Sequence, residues 1–150
     1  MSPSASVAVC IARDREAGAV LLVDTSAWIE VFRKPARIHV EDLGDLDDIV
    51  TCLPVVQEVL QGFRDELAFR TAREAIWSFP IVEAPLRREV FDEAVVLYRA
   101  ARRAGVTVRS GVDCLIAACA IRNSLTVVHV DRDFDRIATV SPLLERRLLR

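Results

Sequence analysis

Four carboxylates occupy positions that differ from those of ordinary surface residues. Asp24 and Asp131 each follow a short apolar run typical of a buried parallel strand. Glu58 lies beside valines on the apolar face of an expected helix, and Asp113 begins an almost wholly apolar helix. Open α/β sheets bind their ligands outside the carboxyl ends of the strands. These four side chains could therefore share one pocket.

Such a pocket would need a cation. Two carboxylates 4 Å apart repel each other by about 4 kcal/mol at an effective dielectric constant of 20, so a fold keeps several together mainly when a metal ion neutralises them. Ligation by oxygen alone suits Mg²⁺, and also Mn²⁺. Each residue also has a structural interpretation. Asp113 would be favoured by its helix dipole, and Asp24 would cap a helix or a turn.

Helices alternate with apolar strands along the chain, which favours a three-layer α/β domain with a central, mainly parallel sheet. Thr25 and Ser26 are good N-cap residues for the helix that follows Asp24, and Gly105 is a natural residue to end the long amphipathic helix before it. The expected strands are 20–24, 49–53, 81–82 and 126–130, with a further extended stretch at 106–108; the expected helices begin near 25 and 54 and span 65–78, 86–104, 112–123 and 134–138.

Residues 1–18 are small, polar or charged, and we expect them to form a loosely held extension before a domain that spans residues 19–150. The core pattern begins abruptly at Val20. Because valine codons can serve as alternative starts, the native product is expected to begin near that residue. An acidic stretch after Pro35 is expected to be a solvated loop with a short helix.

Composition excludes several function classes. The 150 residues suffice for one domain, and 20 basic against 22 acidic residues give a net charge of −2, without the strongly basic coat of many nucleic-acid-binding proteins. Lys34 is the only lysine and follows no glycine, so a phosphate-binding Gly-Lys-Ser/Thr loop is absent; G-x-G-x-x-G and G-x-S-x-G are absent too. The four cysteines form no C-x-x-C pair, which favours free thiols in a reducing cytoplasm. No apolar run reaches the ~18 residues of a membrane span, and no basic segment suggests a signal peptide.

Four motifs, in this order, resemble those of PIN-domain ribonucleases, and most nearly those of the VapC toxins of bacterial toxin–antitoxin pairs. The likeness covers roughly residues 20–145. One departure is His129, which stands where threonine is common and which the strand pattern predicts to be a half-buried structural residue. The motifs are Val20-Leu-Leu-Val-Asp24-Thr-Ser-Ala-Trp28, Val55-Val-Gln-Glu58-Val-Leu-Gln-Gly62, Asp113-Cys-Leu-Ile-Ala-Ala118 and His129-Val-Asp131-Arg-Asp133-Phe134.

The resemblance implies a catalytic set of Asp24, Glu58, Asp113 and Asp131, with Asp133 as a substitute or supplement for Asp131. Metal-assisted hydrolysis of RNA phosphodiesters fits both the resemblance and the residues. Asp24, Asp113 and Asp131 would ligate Mg²⁺, while Glu58 would complete the cage or orient the attacking water. The resemblance also implies a VapB-like antitoxin, with Trp28 and Phe32 as candidates for its groove, and a homodimer.

RNA would need positive charge around the acidic pocket. Arg109, four residues before Asp113, and Arg132, next to Asp131, are the preferred phosphate contacts. Ser26 could hydrogen-bond a metal ligand or the scissile phosphate, or simply cap its helix. Gly62, one turn beyond Glu58, could allow backbone or substrate to approach closely. Further candidates are Arg99, Arg102, Arg103, Arg136 and the C-terminal Arg146, Arg147 and Arg150.

Two other functions remain open at this point. A PIN-like fold could bind RNA or a protein without cutting it, although the complete carboxylate set argues against this. A metal-dependent DNA nuclease would use the same site, and only substrate assays distinguish it. Substitution of Asp24 or Asp113 by asparagine separates the enzyme from the binding module, because only the enzyme would lose its effect.

Overall fold

The computed structural model describes residues 18–149 and contains a five-stranded sheet in the order β3-β2-β1-β4-β5, with every pair parallel. All residues of β1 and β2 are buried. Because successive side chains of a strand point to opposite faces, both faces of the sheet are covered, as a three-layer α/β domain requires. The strands are β1 (Leu21–Val23), β2 (Ile49–Cys52), β3 (Ile81–Val82), β4 (Thr126–His129) and β5 (Leu144–Arg147).

Helices connect these parallel strands. The described residues form α1 (Thr25–Phe32), α2 (Val40–Leu43), α3 (Leu53–Gln61), α4 (Glu66–Trp77), α5 (Arg88–Arg103), α6 (Gly111–Arg122) and α7 (Arg132–Ala138), together with a 3-10 turn at Leu46–Asp48. None of the described helices is long and apolar enough to cross a membrane.

The register places the ends of the three central strands at one edge of the sheet. Leu21 of β1 is level with Ile49 of β2 on one side and with Thr126 of β4 on the other. Residues that follow these strands therefore lie near one another. Asp24 directly follows β1, and Asp131 comes two residues after β4.

Two helices bear out the sequence pattern closely. In α5, Val90, Ala94, Leu97 and Ala101 form the buried face, and Gly105 follows the helix end with φ +70°, a backbone conformation that glycine adopts without strain. The helix α6 is buried on most sides, including Asp113 in its first turn. The carboxyl group of Asp113, at the start of a core helix, therefore lies inside the molecule.

Several details differ from the expectation. The N-cap of α1 is Asp24, which confirms the capping role considered for it, and not Thr25 or Ser26, because the Asp24 carboxylate accepts the Ser26 backbone N–H. The stretch 106–108 forms no strand, since its neighbours are helices and the chain there only connects α5 to α6. Gly62 ends α3 with φ −80°, and a Cβ there would meet only ordinary van der Waals contacts, so no close approach of the protein backbone requires glycine at this position. The strand β5 was not predicted. The expected N-terminal extension falls almost entirely on residues 1–17, outside the described part of the chain.

Candidate metal-dependent nuclease site

Asp24 lies at the centre of the carboxyl edge of the sheet and is only 3% exposed. Its Oδ2 accepts hydrogen bonds from the backbone N–H of Ser26 at 2.9 Å and from the Ser26 hydroxyl at 2.5 Å. Its Oδ1 is buried and has no hydrogen-bond partner among the described residues. Burial raises the pKa of Asp24 despite the hydrogen bonds from Ser26. One carboxylate oxygen is thus fixed and the other is left for a ligand.

Ser26 links two strand ends of the site. While its hydroxyl donates to Asp24, its Oγ accepts the backbone N–H of Val130 at 3.1 Å. Asp24 follows β1, and Val130 follows β4. Of the options that the sequence left open for Ser26, the structure shows the hydrogen bond to the expected metal ligand.

Three further carboxylates lie together beside Asp24. Ligand oxygens of Asp113, Asp131 and Asp133 all lie within 4.8 Å of one another. The pKa of Asp113 is raised to about 8, first by burial and then by the negative charges of Asp24, Asp131, Asp133 and Glu58. The four carboxylates selected in the sequence, together with Asp133, therefore form one electrostatic cluster.

Asp131 and Asp133 differ in their surroundings, although they share one D-x-D sequence. Asp131 caps α7, accepting the N–H of Asp133 on Oδ1 at 3.0 Å, and its side chain is 29% exposed. Asp133 is 1% exposed, and both of its oxygens are engaged: Oδ2 with the Arg109 N–H at 2.8 Å and Oδ1 with Arg136 Nη1 at 2.9 Å. Asp131 is accordingly the more accessible of the two carboxylates.

Glu58 approaches the cluster from α3. It is half-buried, and its Oε1 accepts a 3.4 Å hydrogen bond from the Thr25 hydroxyl. Burial, followed by the charge of Asp24, raises the pKa of Glu58. Thr25 was not predicted as a site residue, although its position next to Asp24 in the sequence indicated that it would lie near the carboxylates.

Arg109 lies at the rim of the cluster with its side chain 66% exposed. Its Nη2 is 3.0 Å from Asp131 Oδ1, and its Nε is 3.5 Å from Asp133 Oδ1. The charges of Asp133 and Asp131 raise its pKa further. Arg132 is exposed at the start of α7, and Arg136 bonds Asp133 and the carbonyl of Thr107. The structure thus places the Arg109 cation beside the carboxylates.

Two C-terminal arginines have structural partners within the chain. Arg146 donates to the Leu43 carbonyl, and Arg147 pairs with Asp135 at 2.9 Å. Next to them, His129 is fully buried, with Nε2 2.7 Å from Glu145 Oε2 on β5. The prediction that His129 is a structural residue is confirmed, since its side chain links β4 to β5. His129 is fully buried, however, and not half-buried as predicted. Arg150 lies outside the described residues.

The donor set fits a hard divalent cation. The clustered ligands are carboxylate oxygens, which Mg²⁺ and Mn²⁺ prefer, and the nearest cations are arginines at the margin. The unpartnered Oδ1 of Asp24 is the stronger indication, because a buried carboxylate oxygen without a partner costs free energy unless a ligand binds it. The residues of this site are thus compatible with binding of a divalent metal ion.

Comparisons with known proteins agree with the resemblance that the motifs carry. The PIN domain family matches residues 21–140. Ribonuclease VapC11 of Mycobacterium tuberculosis is 40% identical over 129 residues, which cover 83% of this chain and 96% of that protein. The crystal structure of DNA-bound VapBC from Salmonella typhimurium contains a chain with a TM-score of 0.70 and 14% identity, over 88% of this chain and 100% of that one. VapBC-5 of M. tuberculosis, a member of the VapBC family of toxin-antitoxin systems, gives a TM-score of 0.63 at 18% identity, over 85% and 98%.

Proposed function

Because the chain belongs to the PIN-domain family, and within it to the VapC ribonucleases, we propose that it is a metal-dependent endoribonuclease that acts as the toxin of a toxin–antitoxin pair. The observation that carries this proposal is the cluster of Asp113, Asp131 and Asp133, whose ligand oxygens lie within 4.8 Å of one another and which lies close enough to Asp24 and Glu58 for their charges to raise the pKa of Asp113. A binding module without catalysis would have no use for such a repulsive cluster.

Mg²⁺ is the proposed ion, and Mn²⁺ could replace it. Asp24, Asp113 and Asp131 would hold it, directly or through water, and Asp133 would supplement Asp131. When bound, a divalent ion lowers the pKa of water and neutralises charge that builds up on a phosphate. Glu58, half-buried with a raised pKa, would complete the cage or accept a proton from the attacking water.

The remaining residues would position these groups and the substrate. Ser26 holds Asp24 Oδ2, which keeps the carboxylate in one orientation. Ser26 Oγ accepts one hydrogen bond, from the backbone N–H of Val130, and keeps a second lone pair. That lone pair would allow Ser26 to contact the substrate through a water molecule. Arg109 would exchange Asp131 for a phosphate when the metal neutralises that carboxylate, and exposed Arg132 would contact a neighbouring phosphate.

The proposed antitoxin is VapB-like and would cover a groove between α1 and α3. This groove has a volume of about 260 Å³ and is lined by Ile29, Phe32, Val59, Phe63 and Arg33, among others. Trp28, the other sequence candidate, is buried and stacks on Phe32 with ring centroids 5.7 Å apart, so it supports the groove from below. Apolar side chains of the antitoxin would enter this groove. We also propose that the protein forms a homodimer. Its proposed location is the cytoplasm, where RNA is available and free thiols such as Cys52 persist.

The test compares wild type with Asp24→Asn, induced separately without antitoxin. We expect growth arrest and discrete new RNA 5′ ends from the wild type only, while both proteins accumulate equally. If both variants arrest growth, the protein acts by binding and the catalytic proposal fails. Purified wild type should cut RNA in Mg²⁺ and leave single-stranded DNA of the same sequence intact; preferential DNA cleavage would instead support a DNA nuclease.

A further inference from the structure

A strongly basic segment leads into the carboxylate site. Residues 98–112 contain four arginines and no aspartate or glutamate, in a chain whose net charge is −2. Arg99, Arg102 and Arg103 are exposed and form no ion pair with any carboxylate in residues 18–149. Exposed arginines elsewhere are of both kinds, since Arg70 and Arg88 pair with a carboxylate on their own helix whereas Arg64 and Arg73 form no ion pair within residues 18–149, so the distinctive feature of residues 98–112 is their lack of acidic residues. The positive charge is therefore left available on this side of the molecule.

Tyr98 lies in the middle of this segment. Its ring is partly exposed, at 37%, and the Arg102 guanidinium carbon is 5.1 Å from the ring centroid. On one side of Tyr98, an open groove of about 640 Å³ runs between α5 and α6; its lining is mostly apolar, with exposed Phe91 and Val95, and it reaches Arg109. On its other side, a smaller pocket of about 260 Å³ is lined by Arg102, Gly105 and Thr107 among others. Tyr98 thus separates two depressions, each with an arginine in its wall.

The larger depression borders the carboxylate site, although no carboxylate lines it. Arg109 lines the groove and also pairs with Asp131 at 3.0 Å. Val112 lines it one residue before Asp113. A strand of RNA with one phosphate at the carboxylates could therefore follow Arg109 toward Tyr98 without crossing a carboxylate of this segment.

We propose that Tyr98 is a stacking platform for an unpaired RNA base next to the scissile phosphate, with Arg109 and Arg102 contacting the phosphates on either side of that base. Aromatic stacking combined with arginine contacts is how proteins hold single-stranded nucleic acid. This subsite rests on the proposed ribonuclease function and narrows it to substrates that are unpaired beside the cut. A second copy of the chain fits this end of the groove less well, because a two-fold contact centred on Tyr98 would bring the arginines of both copies together.

Binding tests the subsite without cleavage. The protein used is Asp113→Asn in Mg²⁺, and its variants are made in the same background. Two fluorescein-labelled probes are compared, a decauridylate and a matched abasic ribose-phosphate chain, and their binding is measured by fluorescence anisotropy. The background protein should bind decauridylate about 5- to 150-fold more tightly than the abasic chain, the range expected for one stacked base. Tyr98→Ala should lose that preference and Tyr98→Phe should keep it. Trp77→Ala, which removes a 44% exposed aromatic ring on α4, is the control and should behave as the background.

Cleavage separates failure of this subsite from failure of the proposed function. With otherwise wild-type protein, Tyr98→Ala and Arg102→Gln should each raise KM for an unpaired RNA substrate at least fivefold, with a smaller change in kcat. If wild type cuts RNA and Tyr98→Ala cuts it equally well, the subsite is wrong and the ribonuclease proposal stands. If wild type cuts no RNA, the ribonuclease proposal itself fails. If Tyr98→Ala halves the mass measured by light scattering and spares the base preference, the groove is a contact between two copies.

Discussion

The Ser26 hydroxyl donates to Asp24 Oδ2 at 2.5 Å and at the same time accepts the backbone N–H of Val130, so one small side chain connects the proposed metal-binding carboxylate to the end of the neighbouring strand. Oδ2 also accepts the Ser26 N–H. Since these bonds all engage Oδ2, Oδ1 is the oxygen left for a metal ion. Helix capping and ligand orientation are thus performed by the same pair of residues.

Ser26→Ala should weaken metal binding more than it weakens the fold. The substitution removes two hydrogen bonds, which we expect to cost about 1–3 kcal/mol of unfolding free energy, and it frees Asp24 to rotate. Affinity for Mn²⁺, measured by calorimetry, should fall by about 10- to 100-fold, as for other residues that orient metal ligands. Ser78→Ala is a matched control, because the Ser78 hydroxyl also bonds the backbone but lies far from the site in sequence and on the surface. Equal Mn²⁺ affinity in wild type and Ser26→Ala would contradict the orienting role.

Asp113 should make the metal-free protein less stable as the pH rises. Its pKa is about 8 in the fold, raised mainly by burial, and near 3.9 when unfolded. Between these values the folded state holds a proton that the unfolded state has released, so stability falls from about pH 4 to pH 8. Asp113→Asn removes this dependence. In EDTA, its Tm should exceed that of wild type by at least about 2 °C at pH 8 and approach it near pH 4.

Saturating Mg²⁺ should reverse that order at pH 8, because the ion stabilises the ionised wild-type cluster in the fold. A Tm difference in EDTA that stays constant from pH 4 to pH 8 would show that Asp113 does not titrate in this range.

Asp131 and Asp133 should respond differently to removal of their charge. Asp131→Asn retains a good helix cap, so it should preserve Tm and lose most Mn²⁺ affinity. Asp133→Asn places the amide NH₂, a donor, against another donor, either the Arg109 backbone N–H or the Arg136 guanidinium. Loss of that charged hydrogen bond should lower the unfolding free energy by about 2 kcal/mol. Thermal melts and Mn²⁺ titrations of both variants test this division. Equal loss of stability in both would contradict it.

Arg109→Gln should affect metal and RNA in opposite directions. The guanidinium lies against Asp131 and Asp133, so its removal increases the negative potential of the cluster. Mn²⁺ should then bind a few-fold more tightly, while KM for RNA should rise about tenfold through loss of a phosphate contact. Arg70→Gln, on α4, controls for the loss of a surface arginine. A parallel loss of both affinities would mean that Arg109 mainly supports the structure.

The central strands and the carboxylates were predictable because their signals are local. Buried strands are indicated by the apolar runs before Asp24 and Asp131, and the buried face of α5 is indicated by its helical period. The strand β5 gave no such signal, since its sequence Leu144-Glu-Arg-Arg is charged and it pairs only with β4 at the sheet edge. Its stability depends on a contact distant in sequence, between His129 and Glu145.

The different roles of Asp131 and Asp133 could not be predicted for a similar reason. Both are aspartates in one short motif, and both precede or begin α7. What separates them is the Arg109 N–H and the Arg136 side chain, one contributed by a loop 24 residues away. Tyr98 was not predicted as a site residue either: its partner Arg102 lies on the same helix, but the groove beside its ring forms only when α5 and α6 pack side by side.

The strand order also governs when activity can arise during synthesis. The central strand β1 has β2 and β4 as its neighbours, and β4 begins at Thr126. A nascent chain still attached to the ribosome before that point contains Asp24 and Glu58 but lacks the partner strand and the last two carboxylates. We therefore expect no cutting activity before β4 and the two aspartates that follow it have left the ribosome and joined the rest of the sheet. An antitoxin made beforehand would meet each newly completed toxin at that moment.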